Sequence, residues 1–218
     1  MRTDHAARLD EVLSLGPVIP VLVLDDVRTA VPLARALVDG GLRVIEITLR
    51  TAAALDAARA IRDAVPEAVV GVGTVLTPAQ YALAEAAGMA FAVSPGTTDA
   101  LLDAARDGGV PLLPGATTPS ETMALLDRGH VHQKFFPAEP SGGAAYLSAL
   151  ASPLPAARFC PTGGITAAVA PAYLALPNVV CVGGSFMVPK GAVAAADWDA
   201  VRRGAAAAAA LRAASTTR

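Results

Sequence analysis

The chain has 218 residues, 54% of them hydrophobic and 17% charged, with a formal net charge of −2. That length and apolar content allow a full hydrophobic core and exclude a disordered chain. With a pI of 5.9 there is no basic surplus to neutralise phosphate backbones, so nucleic acid is not an expected partner. Short β-rich runs alternate with Ala-rich helical stretches eight times along the chain. The strand candidates are 18–24, 43–49, 69–75, 90–94, 110–114, 131–136, 157–161 and 179–184. The helical stretches that follow them lie near 27–39, 53–64, 78–87, 98–107, 119–128, 142–150, 166–175 and 192–213. Thr77-Pro78 and Thr118-Pro119-Ser120 read as helix starts, and Gly40, Gly88, Gly108 and Gly129 as helix ends.

Strand then helix, repeated in this way, implies parallel strands joined by right-handed crossovers. The expected fold is an α/β protein, a (β/α)8 TIM barrel with an extra N-terminal helix near 4–14 capping its lower end, and 1–218 form a single domain. The competing architecture is a doubly wound open sheet. The apolar run 18–24 is flanked by Asp10 and Glu11 before it and Asp25 and Asp26 after it, without a small-residue cleavage site. No run has transmembrane length, so no membrane partner is expected and the expected location is cytoplasmic. Cys160 and Cys181 sit in apolar runs and read as buried reduced thiols. His5, His130 and His132 lack metal-ligand spacing, so no metal site is expected.

Of the 17 basic side chains only two are lysines, Lys134 and Lys190. In a barrel, functional groups gather at the C-terminal ends of the strands. Alternation in the second strand turns Ile45, Ile47 and Leu49 to the helices, and Val44, Glu46, Thr48 and Arg50 to the lumen. A carboxylate buried there is expensive unless paired or neutral. An internal Glu46–Arg50 salt bridge would satisfy it; so would pairing with Lys134, which shares a face with His132 and Phe136. Desolvation among aromatics disfavours a charged amine, and an amine beside a carboxylate is the apparatus of Schiff-base chemistry on a ketone. The pairs Gly163-Gly164 and Gly183-Gly184-Ser185 follow strands seven and eight, the usual phosphate-binding place in such barrels. Gly73-Thr74, Ser94-Pro95-Gly96 and Pro114-Gly115 also end strands. Lys190, after Pro189 in a loop, reads as a solvated surface cation.

Together, VIEITLRT, VGVGTVL, FAVSPG, KFFPAE and RFCPTGGI, in this order, resemble the 2-keto-3-deoxy-6-phosphogluconate (KDPG) aldolase family, whose members often also cleave 4-hydroxy-2-oxoglutarate (KHG). The resemblance runs from VIPVLVL to VGGSFMVP and fits this branch better than the related phosphogalactonate aldolases. It implies a (β/α)8 barrel, a homotrimer, a phosphorylated 2-keto acid as small-molecule substrate, and class I chemistry with no metal or organic cofactor. It also implies that Lys134 is the Schiff-base lysine and Glu46 the general acid/base. Arg50 and Thr74 then match the positions that hold the substrate carboxylate, with help from Pro95 in its turn. Gly163, Gly164, Gly184 and Ser185 match the phosphate end, and Phe136 an aromatic beside the lysine. Phe186-Met187, where members often carry Trp-Leu, and the PGATT loop depart from the pattern without touching Lys134 or Glu46. Two other functions stay open at this point: a metal-dependent aldolase or phosphosugar isomerase, which a chelator would inhibit, and a phosphosugar-binding barrel without catalysis.

Overall fold

The computed structural model of the chain describes residues 3–212. In chain order its elements are α1 (Thr3–Ser14), β1 (Val18–Leu22), α2 (Val27–Asp39), β2 (Val44–Thr48), α3 (Ala54–Ala64), β3 (Val69–Gly73), α4 (Pro78–Ala86), β4 (Phe91–Val93) and α5 (Asp99–Asp107). Then come β5 (Leu112–Leu113), β6 (Gly115–Ala116), α6 (Pro119–Asp127), β7 (His132–Phe135), α7 (Gly143–Ala151), β8 (Arg158–Pro161), α8 (Ala170–Leu174), β9 (Val182–Gly184) and α9 (Trp198–Ala209). All strand pairings are parallel, in two arcs, β5-β4-β3-β2-β1-β9 and β6-β7-β8. The arcs are parts of one ring. Strands β5 and β6 are a single run divided at Pro114, whose carbonyl still accepts from the Lys134 amide at 2.8 Å. At the other join, the bridges Phe159 to Val179 and Thr162 to Gly183 tie β8 to β9. The eightfold alternation therefore closes as a barrel and not as an open sheet.

The two faces of each strand go to two different cores. Ile45 and Ile47 of β2, Val70 and Val72 of β3 and Phe135 of β7 pack outward against the helices. Ile19, Val44, Phe91, Val93, Leu113, Cys160 and Cys181 fill the lower lumen, together with Leu9 and Leu13 of α1. The leading helix thus plugs the N-terminal end, as its apolar positions predict, and Asp10 fastens it to His132 of β7 at 3.0 Å. Each fully buried leucine contributes about 1.5–3 kcal/mol of transfer free energy, so Leu9 and Leu13 suffice to dock the plug. Both cysteines are buried and outside any disulfide.

Helix starts follow the capping signals. Thr77, Thr98 and Thr118 accept from the amides of Gln80, Leu101 and Glu121, and Glu121 completes a capping box. Gly40 and Gly108 cap α2 and α5, whereas Gly88 and Gly129 stand one residue beyond their caps at φ 63° and 81°. The largest difference from the sequence expectation lies near the end. The stretch predicted as helix from 192 forms turns up to Asp197, because Pro189 and Gly191 favour tight turns. Helix α9 begins only where the Asp197 carboxylate accepts from the Ala200 amide. Its predicted end at 213 lies outside the described residues. Helix α8 is also shorter than predicted, starting at Ala170 with Pro171 in its first turn.

Candidate active site

The upper lumen is built differently from the lower. There, β2 and β7 aim Glu46 and Lys134 across the barrel at each other, with Nζ and Oε1 3.6 Å apart. The two side chains are 5% and 6% exposed, so an unpaired charge would be heavily penalised. No described group donates a hydrogen bond to the Glu46 Oε1, and 3.6 Å is longer than such a bond. The ion pair therefore forms between Glu46 and Lys134, and not between Glu46 and Arg50. Phe136 covers the pair, its ring centroid 5.2 Å from Nζ.

Room for these side chains comes from glycine on the neighbouring strands. A β-carbon on Gly73 would lie 1.8 Å from the Glu46 Oε1, and one on Gly71 would meet the Phe91 ring at 2.5 Å. On the opposite side, a β-carbon on Gly183 would press into the Thr162 hydroxyl at 2.4 Å. Thr48, two residues after Glu46, donates to the Leu22 carbonyl at 2.9 Å and so fastens β2 to β1.

A cleft of about 850 Å³ opens next to the pair: Lys134 and Glu46 are not among its lining residues, and Phe136, which packs on the Lys134 amine, is the residue that joins them to it. Phe136, Arg50, Gly163, Gly164, Gly184 and Ser185 all line it. Arg50 lies just past the end of β2 and is exposed to the cleft, beyond the lumen position that strict alternation predicts. Thr74 and Pro95 are half-buried at the ends of β3 and β4 and are not among the lining residues. Thr74 has φ 58°, unusual for a residue with a side chain, and the Pro95 carbonyl group packs where a β-carbon on Gly115 would lie. The structure thus gathers six of the eight predicted binding residues around one opening and leaves the other two outside its lining, just past the ends of β3 and β4.

Three contributors were not legible as site residues. Thr162 lines the cleft from the end of β8. Glu139 shapes the glycine pair: its amide donates to the Gly163 carbonyl at 3.0 Å, and its side chain fills the space beside Gly164. The buried Tyr173 hydroxyl donates to the Glu139 carboxylate, and burial together with that contact pushes the phenol well above its usual range. Lys190 is exposed, as predicted, yet it stands on the wall of the cleft and not on an unrelated surface. KFFPAE contains Glu139, but only folding brings it to the β8 loop.

Chemically, a buried amine beside a buried carboxylate can attack a carbonyl and move the protons that follow. The glycine-rich end offers backbone donors to an anion. Among the described residues no three His, Cys, Asp or Glu side chains gather as a metal site. No described helix is long and apolar enough to cross a membrane.

Comparison with known proteins identifies the family. The family model for KDPG and KHG aldolase matches residues 9–204. The 2-dehydro-3-deoxy-phosphogluconate aldolase of Pseudoalteromonas atlantica is 54% identical over 191 residues, covering 88% of this chain and 89% of that one. The KDPG aldolase of Zymomonas mobilis, solved with 3-phosphoglycerate, superimposes with a TM-score of 0.91 at 46% identity, over 96% of this chain and 99% of the other. The KDPG aldolase of Legionella pneumophila, solved with pyruvate captured as a covalent carbinolamine, gives 0.89 at 43% identity, over 92% and 97%. On these matches, spanning nearly the whole barrel, the chain belongs to the KDPG and KHG aldolase family.

Proposed function

We propose that this chain is a class I aldolase that cleaves 2-keto-3-deoxy-6-phosphogluconate to pyruvate and glyceraldehyde 3-phosphate. The observation that carries this reading is the buried amine–carboxylate pair, Lys134 and Glu46, 3.6 Å apart under Phe136. Lys134 is the nucleophile and Glu46 the proton carrier. Lys134 passes its proton to Glu46, and the free amine adds to the C2 ketone of the substrate; Glu46 then gives that proton to the carbinolamine hydroxyl, which leaves as water and yields the iminium ion. The Glu46 carboxylate then takes the C4 hydroxyl proton. As the C3–C4 bond breaks, its electrons move to the iminium nitrogen, C4 becomes the aldehyde carbon of glyceraldehyde 3-phosphate, and the enamine of pyruvate remains. Glu46 returns its proton to C3, and water hydrolyses the resulting iminium to pyruvate and free Lys134. The carbinolamine captured in the Legionella relative supports the first step.

Arg50 and Thr74, with Pro95 beside them, hold the substrate carboxylate so that C2 faces the amine, an orientation effect of several kcal/mol in favourable cases. Gly163, Gly164, Gly184 and Ser185 hold the phosphate, whose binding energy aligns the distant reacting centre. The phosphorylated ligand of the Zymomonas relative supports that end of the reading. The same pair would cleave 4-hydroxy-2-oxoglutarate to pyruvate and glyoxylate, an activity named in the family's description. The working form is a single-domain homotrimer in the cytoplasm. The family resemblance supports that assembly, and so do the exposed apolar side chains Leu76 and Leu83. Incubation with pyruvate and borohydride tests the mechanism: the reduced adduct should map to Lys134, and an adduct on Lys190 or none at all would refute it.

A further inference from the structure

We infer that Lys190 is a specificity-determining residue, the cation that makes this chain favour the phosphorylated keto acid; the inference rests on the aldolase reading above. Two basic side chains line the cleft, Arg50 and Lys190. No described acid forms an ion pair with either, although Asp25 and Asp26 share the wall. Asp26 is already engaged by Arg28 at 2.7 Å. The two cations differ in where the chain ties them. Arg50 leaves the end of β2, above Glu46. Lys190 belongs to a run of turns hung from the glycine-rich end: the Val188 amide donates to the Ser185 carbonyl at 3.0 Å, and the Ala192 amide to the Pro189 carbonyl at 3.0 Å. Asp197 closes the run through its amide to Ala192 at 2.9 Å, just before α9. Backbone bonds therefore hold Lys190 a few residues from Ser185 and on the same wall as Gly184.

A substrate with a carboxylate at one end and a phosphate at the other then meets one cation at each. The glycine amides supply direction but no full charge, whereas a phosphate group is close to a dianion at neutral pH. A lysine on a flexible stem provides a point charge that follows the phosphate without fixing its angle. Asp26 is already paired with Arg28, which leaves the Asp25 carboxylate, just after β1, as the lining charge that disfavours an anion there. Because Lys190 is exposed on the cleft lining, whereas Lys134 is buried and is not part of that lining, it acts on binding and not on bond cleavage.

The test compares wild type, Lys190→Ala and Lys190→Arg on KDPG and on unphosphorylated 4-hydroxy-2-oxoglutarate. For Lys190→Ala, the KM for KDPG should rise about five-fold. The kcat should hold within two-fold, and the constants for the unphosphorylated acid should not move. Lys190→Arg should restore most of the loss, and the salt dependence of the KDPG KM should flatten in Lys190→Ala. Calorimetric titration with 3-phosphoglycerate reads the same charge without turnover, and the alanine variant should bind it about five-fold more weakly. An equal loss on both substrates, or unchanged affinity for 3-phosphoglycerate, would overturn the inference. Absence of cleavage by wild type with intact, Lys190-dependent 3-phosphoglycerate binding would refute the aldolase reading and leave the phosphate contact standing.

Discussion

The side chain of Glu46 occupies the space that a β-carbon on residue 73 would need: the clash would be 1.8 Å to Oε1, 2.6 Å to Cδ and 2.8 Å to Cγ. Glycine at the end of β3 is thus what lets the carboxylate lie flat against the barrel wall and reach Lys134. The atom in the way is the end of a side chain, so Gly73→Ala should fold but displace Glu46. We expect its kcat to fall about 100-fold, the size of a lost proton-transfer group, with circular dichroism unchanged. A Gly73→Ala enzyme with near-normal kcat would show that the position of Glu46 does not matter.

Replacing the pair directly separates its two roles. Lys134→Met should abolish both cleavage and borohydride trapping. Glu46→Gln keeps the size of the side chain and removes its proton exchange. It should still be trapped by pyruvate while kcat falls about 10²–10⁴-fold. Steady-state kinetics and mass mapping on the two variants check the division of labour.

Stability should report the same pair differently. Glu46→Ala strands a buried ammonium and should cost about 3–5 kcal/mol, read as a drop in the urea midpoint. Lys134→Met combined with Glu46→Leu removes both charges and keeps the volume. That double variant should recover most of the loss while remaining inactive, because an apolar pair avoids the desolvation that the ion pair must offset.

A pH dependence of stability follows from the base of the barrel. Burial, with the nearby charges of Arg128 and His5, pushes His130 from 6.5 down to about 4. Between those values the unfolded chain binds the proton and the folded chain does not, so stability rises with pH. The contribution is fully present above about 6.5 and is lost as pH falls toward about 4, by about 3 kcal/mol. Urea denaturation of wild type and His130→Asn from pH 7.5 to 4 should give a shallower decline for the variant. Parallel curves would show that His130 is not the group responsible.

Plugging of the lower end gives a last expectation. Leu9→Ala opens a cavity beneath Phe91 and Leu113 in the lower lumen and should cost about 2–5 kcal/mol. Turnover at the opposite end should survive at temperatures where the variant stays folded, as a kinetic assay at 15 °C would show.

Much of this protein was legible in its residues because two periods organise it. Strand alternation put Ile45 and Ile47 against helices and Glu46 in the lumen, since a one-residue shift would bury the wrong face. Recurring helix caps marked most starts, and two scarce lysines drew attention to Lys134. The sequence alone therefore determined the strand–helix alternation and the chemical types of the central pair. It did not determine which charge Glu46 meets, because Arg50 is four residues away and Lys134 eighty-eight, and only closure of the ring faces β2 toward β7. Nor did it place Glu139 under the glycine pair, which depends on a hydrogen bond to the β8 loop, or Lys190 in the cleft lining, which depends on how the end of β9 meets the ends of β1 and β8. Local pattern fixes which way a side chain points; what it points at is settled by the long-range packing that closes the barrel.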